Sequence, residues 1–180
     1  MTTRQGVAIR TSAVATIIAQ NTLAGAMVEQ ERYDDVAEAD MPRVIVFAHE
    51  ELDGTSKAGT ALRFKVSLHL EIQCLVIRAP NADAVTDLDT LTGEVIEALL
   101  CDPVWPKQME FIESGALIRQ FKPQNERVIG DGRVTFVCKY NETYPPRVTT
   151  PLSQVDLRAS ATQPAGAAIG VDIILPPAEG

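Results

Sequence analysis

The chain has 180 residues, of which 46% are hydrophobic and 22% charged, which is ordinary for one globular domain with an appendage. Its formal net charge of −8 disfavours tight nonspecific binding to nucleic acid, because an acidic surface repels phosphates. The sequence has neither the roughly 18 apolar residues in a row that a membrane span needs nor the apolar core of a signal peptide, so we expect a protein made in the cytoplasm.

The N-terminal region predicts a helix and then a short strand. Apolar residues spaced three and four apart predict a helix from about Val7 to Leu23, which Gly25 would end. The apolar residues 26–28 fit a brief strand. The acidic stretch from Gln30 to Asp40 lacks the spacing of a calcium-binding loop, so we expect a solvated loop there.

The strictest pattern in the chain runs from Leu62 to Ile77. Its even positions are apolar, and its odd positions are polar or small as far as Gln73. This period of two predicts a strand with one buried and one solvated face. At about 3.3 Å per residue the strand would span roughly 50 Å, so we expect it to bend at a bulge or to project from its domain. Near its end Leu75 and Ile77 are both apolar, which predicts cover on both faces, from the chain itself or from a neighbouring subunit.

A second strand is predicted at Arg43–His49, where a β-branched run follows Pro42. This strand would form an antiparallel hairpin with the long strand. The polar segment Glu50–Thr60 would connect the two as a long, mobile loop that becomes ordered on assembly.

Residues from Asn81 or Asp83 to Leu100 predict the clearest helix in the sequence, and Asp102-Pro103 would end it. Apolar or small side chains recur on one of its faces, and acidic residues lie away from that face. We therefore expect this face to lie on the buried side of the sheet. Its residues are Val85, Leu88, Thr92, Val95, Ile96 and Leu99.

Two more strands are predicted at Ala116–Lys122 and Val134–Tyr140. The loop between them would begin at Pro123 and end in Gly130-Asp131-Gly132, which is a turn signal. Just before these strands, four apolar residues are irregularly spaced, which fits either core packing or subunit contact. They are Trp105, Met109, Phe111 and Ile112.

Prolines become frequent after Tyr144. We therefore expect one domain in residues 1–144 and a Pro-rich C-terminal extension in residues 145–180. Within the extension, Ala167–Leu175 is apolar enough for a strand, which would need to dock on the domain or on a neighbour.

The chain offers few residues for chemistry. Cys74, Cys101 and Cys138 have no paired spacing, and we interpret them as reduced core residues. His49 and His69 have acidic neighbours, so a metal site is conceivable, but neither HxH nor HExxH spacing is present. The sequence contains no nucleophile elbow, no dinucleotide-binding glycine motif and no basic stretch interleaved with aromatic residues. These observations favour a role in assembly, without enzymatic activity and without a cofactor.

The order of the predicted elements resembles the tail terminator, or tail completion, proteins of long-tailed phages, the family of the lambda minor tail protein U. The resemblance covers about residues 5–144. Its pieces are the step Asp40-Met41-Pro42 into Val44-Ile45-Val46, Leu68-His-Leu-Glu-Ile after a polar loop, Leu88 to Leu100 followed by Asp102, and Val134-Thr-Phe-Val-Cys-Lys-Tyr. The Pro-rich extension departs from the pattern, because the shorter members lack it.

The resemblance implies a mixed sheet flanked by helices. Together with the hairpin and the buried helix face, this gives an α+β prediction: a mixed, mainly antiparallel β-sheet with a long β-hairpin and helices on one face. It further implies a virion protein, assembled in the host cytoplasm, that forms a homohexameric ring on the tail tube. Such a ring stops tube polymerisation and offers a joining surface to the head–tail connector.

DNA would pass through the lumen of this ring without specific binding, and no membrane would be involved. The nearest alternative is a head–tail connector or a tail tube subunit. An alternative of another class is a small ligand-binding or enzymatic α+β domain. Subunit or tube contacts are expected at Glu50, Glu51, Asp53, Lys57, Arg63, Lys65 and Trp105.

Overall fold

A computed structural model describes residues 4–32, 36–58, 61–79 and 81–144, which form one five-stranded sheet and two α-helices. The extension predicted at 145–180 lies outside these residues. Two short 3₁₀-helices, Glu38–Asp40 and Trp105–Gln108, lie between the main elements. Those elements are α1 (Gln5–Ala19), β1 (Val28–Gln30), β2 (Arg43–Ala58), β3 (Ala61–Arg78), α2 (Asn81–Leu100), β4 (Phe111–Gln124) and β5 (Arg127–Tyr144).

The strands are ordered β1-β2-β3-β5-β4 across the sheet. Only β1 and β2 run parallel among the described pairs, and the other neighbours are antiparallel. Both helices pack on the same face. The α+β prediction is therefore confirmed, including the long hairpin of β2 and β3. Neither α1 nor α2 has the continuous apolar length that a membrane span requires.

The loop predicted at Glu50–Thr60 is wrong for most of its length. β2 continues through Ala58, and only two residues separate it from β3. The segment lacks an apolar alternation of its own, and it is strand because β3 supplies hydrogen-bonding partners as far as Ala61. Gly54 does not mark a turn but accommodates a β-bulge, where its φ is +154°.

The hydrophobic core lies between the helices and one face of the sheet. The even residues of β3 from Val66 to Val76 are fully or almost fully buried there, as the alternation predicts. Leu62 departs from this prediction, because it is 45% exposed. The helix residues in this core include Ile9 and Ile17 of α1 and Leu88, Leu91, Val95 and Leu99 of α2.

The turn predicted at Gly130-Asp131-Gly132 is wrong, because both glycines lie inside β5. A Cβ atom at Gly132 would lie 2.7 Å from Thr92 Cγ2 and 3.1 Å from Leu88 Cδ1 of α2. The glycines therefore let α2 approach the sheet. Their use as spacers explains why a glycine pair that normally signals a turn occurs in a strand.

Several element boundaries also differ from prediction. α1 ends at Ala19, not Leu23, and the chain turns at Asn21 in the left-handed conformation, with φ at 51°. Gly25 follows in a later turn. On α2, Val85 is 36% exposed instead of buried, and Ala84 and Leu91 take its place in the core.

The end of β3 is covered on both faces by the chain itself. Leu75 and Ile77 are each 7% exposed although they lie on the face opposite the helices. The 3₁₀-helix at Glu38–Asp40 follows the parallel strand β1 and reaches the β4–β5 turn, where Glu38 accepts a hydrogen bond from Gln124 at 2.7 Å. The 3₁₀-helix before β2 thus reaches across this end of the sheet.

Candidate functional site

The distal part of the β2–β3 hairpin and the end of β5 both extend beyond the start of α1. We call residues 50–58, 61–67 and 139–144 the arm. Because β4 begins opposite Lys139, the arm beyond that point has only three strands. Its helix-side face carries exposed apolar side chains: Leu52 is 52%, Leu62 45% and Tyr144 39% exposed. In the arm, an apolar face of this sheet therefore lacks cover within the described chain.

The start of α1 anchors the base of the arm. Arg4 Nη2 lies 2.8 Å from Glu50 Oε2, and the Tyr140 hydroxyl donates to Glu50 at 3.2 Å. Gly6 fits beneath this cluster, since a Cβ there would lie 2.8 Å from the Tyr140 oxygen. Burial is the largest cause that raises the pKa of Tyr140, followed by the charge of Glu50, so the phenol stays protonated.

A polar row crosses four strands on the outer face, at the junction of the arm and the domain. We define it as Asp53, Ser67, Lys139 and Glu113. Asp53 and Glu113 each lie in a β-bulge, of β2 and of β4. Lys139 Nζ lies 2.9 Å from Asp53 and 3.3 Å from Glu113, and the Ser67 hydroxyl donates to Asp53. The two bulges thus turn two carboxylates toward one ammonium group.

A serine beside a lysine is also the arrangement of some nucleophilic enzymes, and the electrostatics of the row argue against that chemistry here. The hydrogen bond with Asp53 is the largest cause that raises the pKa of Lys139, and Glu113 adds to it. A lysine held as a cation cannot accept the proton of Ser67. The Ser67 hydrogen bond, and then the Lys139 hydrogen bond, lower the pKa of Asp53, which makes that carboxylate a weak base as well.

The two histidines meet on the same outer face. His49 and His69 are directly paired across β2 and β3, with ring centroids 6.3 Å apart. Their Nε2 atoms lie 3.8 Å and 3.7 Å from the Glu51 carboxylate. Glu71 instead pairs with Arg133 at 3.3 Å. Within the described ranges, no three histidine, cysteine or acidic side chains are arranged to hold a metal ion.

The predicted contact residues of the hairpin fall on two faces. Glu51, Asp53, Arg63 and Lys65 lie on the outer face, whereas Glu50 lies on the helix side. Lys57 pairs with Leu62 through its backbone. Glu51 and Arg63 are exposed, at 57% and 46% of their side-chain areas. The structure therefore gathers these residues on the arm but does not place them in one patch.

Trp105 is a correction, because it is not on the surface. Its side chain is fully buried, the indole Nε1 donates to the Ile9 carbonyl at 3.2 Å, and its ring lies 6.1 Å from Phe136. Asp102 accepts hydrogen bonds from the amides of Val104 and Trp105, at 2.8 Å and 2.6 Å, at the start of this 3₁₀-helix. Trp105 thus joins α1 to the sheet and cannot contact another subunit in this fold.

The prediction that all three cysteines are core residues is only partly correct. Cys74 and Cys138 are buried, and burial raises the pKa of each thiol to about 12. Cys101 is exposed at the end of α2, which corrects its assignment to the core. A thiol with a raised pKa is a poor nucleophile at neutral pH.

The depression beside the polar row is small. Its volume is about 240 Å³, and Lys65, Phe111 and Tyr140 are among its lining residues. Small-molecule sites commonly enclose roughly 300–1,000 Å³ with mostly apolar walls. This depression is smaller than that range, and five of its eight lining residues are charged, so it is a weak candidate for a ligand site.

Sequence reasoning identified Phe111 as a residue for core packing or subunit contact but missed the rest of the surface formed by β4. This strand pairs with β5 on one side, and no other described strand lies on its free side. Its apolar residues are exposed on both faces, a pattern that a period-two reading does not detect. They are Phe111 at 54%, Leu117 at 37%, Ile118 at 56% and Phe121 at 38% exposure.

No protein-family model matches the chain, and no curated protein matches it. The functional argument therefore depends on the geometry of the arm and of the strand edges.

Proposed function

We propose that this protein is a tail terminator of a long-tailed phage. It forms a homohexameric ring that caps the tail tube, stops tube polymerisation and presents the surface to which the head-side connector joins. The ring belongs to the virion and is assembled in the host cytoplasm. DNA passes through its lumen without specific binding.

The observation that supports this function best is the arm. A monomeric domain gains little from extending three strands beyond its helices with Leu52, Leu62 and Tyr144 exposed. A ring subunit gains a surface that a neighbouring copy or the tube completes, because association buries such residues. The long β4 edge adds a second surface of the same kind.

The polar row supports an assembly role over catalysis. It ties the bulge of β2 to β5 and β4 through Lys139, which keeps the base of the arm in one conformation. A preorganised arm loses less conformational entropy on association. The net charge of −8 agrees with a lumen to which DNA adheres little. A ring whose channel is lined with basic residues would contradict this part of the proposal.

The first test is electron microscopy of the purified protein with and without tail tube protein. We expect discrete rings, and tubes that carry a ring at one end. Stacking of the protein into long tubes of its own would instead identify a tube subunit. A protein that stays monomeric and leaves tube ends uncapped would contradict the proposal.

The second test is tail length in a phage that lacks this gene. A terminator predicts overlong, headless tails, whereas headless tails of normal length would identify a head–tail connector. Complementation with Leu62→Asp should fail, because this exposed arm residue would carry a charge into the contact. The control is Glu97→Lys on the exposed face of α2, which should restore normal tails.

A further inference from the structure

Two strand edges of the described sheet have no partner strand, and they lie at opposite sides of the order β1-β2-β3-β5-β4. β1 pairs with β2 only at Val44–Val46. From Ala48 to Ala58, β2 therefore has β3 on one side and no described strand on the other. The second open edge is β4, over Phe111–Gln124.

The backbone groups of the β2 edge point outward at alternate residues. Val44 donates to Met27 at 2.9 Å and Val46 accepts from Glu31 at 3.1 Å, both toward the β1 side. By the alternation of a strand, the amide and carbonyl groups of Ala48, Glu50 and Leu52 point the same way. Past the end of β1, these groups have no backbone partner among the residues that the structure describes.

We propose that β4 of one copy pairs antiparallel with the β2 edge of the next copy, so that the sheet continues from subunit to subunit. The strand directions permit this contact. β3 runs opposite to β2, β5 runs with β2, and β4 runs opposite to β2. Copies related by rotation would thus bring antiparallel edges together, and a head-to-tail contact of this type closes into a ring.

One register satisfies both faces of the joined sheet. It places Lys122 opposite Glu51 on the outer face and Phe121 opposite Leu52 on the helix side. The first is a pair of opposite charges, and the second is a pair of apolar side chains that are 38% and 52% exposed in the single chain. Pro123 then faces Glu50 near the end of β4, and because proline has no N–H to donate, the new ladder of hydrogen bonds ends there.

Charge complementarity across this contact rests on Glu51 and Lys122. Other charged side chains along the two edges have partners within the chain, namely Glu50 with Arg4, Asp53 with Lys139, and Arg119 with Asp89 at 2.9 Å. An edge-to-edge contact between identical β4 strands would leave Glu51 and the rest of the β2 edge without a partner strand. The pair Glu51–Lys122 therefore favours the head-to-tail contact.

This inference rests on the proposed ring and names its subunit contact. The test is a charge exchange across the contact, using Glu51→Lys, Lys122→Glu and the double variant. Each single variant opposes like charges and should raise the protein concentration for half-assembly about threefold or more. The double variant restores an attractive pair at each contact and should assemble as the unmodified chain does. Circular dichroism of the single variants checks that they are folded.

Disulfide trapping tests the register directly. In a Cys101→Ser background, Glu51→Cys with Lys122→Cys should yield covalent ladders up to the closed ring, because Cα atoms paired across antiparallel strands lie about 4.5–5.5 Å apart. Each single cysteine variant should yield none. Covalent dimers from Leu117→Cys alone would show that two β4 strands meet and would overturn the inference.

The two proposals fail differently. Rings that form but neither cross-link at positions 51 and 122 nor respond to charge exchange would overturn the edge contact and leave the ring intact. Absence of rings on tubes, with tails of normal length in the deletion phage, would overturn the terminator function itself.

Discussion

The two halves of β3 have the same alternation but opposite surroundings. From Leu68 to Val76 the even residues are buried beneath α1 and α2, whereas Leu62 in the arm is 45% exposed. The same pattern of residues thus packs a core along most of the strand, whereas at its distal end Leu62 faces solvent. An alternating pattern indicates which face is apolar but not what covers it, and an uncovered apolar face directs attention to a second chain.

The sharpest way to test this comparison is to remove the same side chain from both halves. Leu70→Ala should lower the free energy of unfolding by about 2–5 kcal/mol, because Leu70 has no exposed area and its loss leaves a cavity. Leu62→Ala should change it by less than about 0.5 kcal/mol. Urea unfolding of both variants measures the difference. Equal losses would show that the arm is packed as tightly as the core.

The alternation of Leu62–Ile77 predicts β3 almost to the residue, and the apolar spacing after Asn81 predicts α2. Both signals are local, because each element carries its own buried face in its own sequence. The outer half of β2 carries no such signal. Residues 50–58 show no apolar alternation, since Leu52 is their one large apolar residue, and they form a strand because β3 lies beside them.

The glycines of β5 illustrate the same limit. Gly130 and Gly132 are spacers for α2, and this requirement is visible only when the helix is in place. For the candidate site, the sequence indicates the hairpin and its charged residues. It does not reveal the bulges that turn Asp53 and Glu113 toward Lys139, since a bulge depends on the register between strands.

The next largest loss of stability is expected where a glycine leaves space for a helix, again in the part of the sheet that α1 and α2 cover. Gly132→Val should destabilise the fold by about 1–3 kcal/mol, because the new side chain overlaps Thr92 and Leu88 of α2. The matched control is Gly115→Ala in β4, whose Cβ would lie 3.5 Å from Phe136, an ordinary contact. Thermal unfolding should show a clear loss for the first variant and almost none for the control.

The polar row should give a smaller effect at the junction of the two regions. Lys139→Met leaves Asp53 and Glu113 without their cation and should lower the melting temperature at pH 7 by less than Gly132→Val does. The pKa of Asp53 is lowered from 3.8, so its contribution is present above pH 3.8 and is lost as the pH falls through the lowered value.

Deprotonation of Lys139 limits the contribution of the polar row to stability at high pH. Its pKa is raised from 10.5, so its contribution is complete below that value and is lost as the pH rises through the raised value. The difference in melting temperature between the unmodified chain and Lys139→Met should therefore be constant near neutrality and shrink at low pH. A difference that persists when Asp53 is protonated would assign the effect to packing of the lysine stem instead.

A mildly stabilising substitution separates the effects of stability from those of assembly. Gly93 is exposed within α2, and a Cβ there would meet no atom within 4 Å, so Gly93→Ala should stabilise the fold by up to about 1 kcal/mol. It should leave ring formation unchanged, because the residue lies on neither the arm nor an open strand edge. Combined with Leu62→Asp, it distinguishes two causes of failed assembly. If that arm variant fails because its fold is weakened, Gly93→Ala should restore rings. If it fails because a contact between copies is lost, the double variant should be more stable in unfolding experiments and still form none.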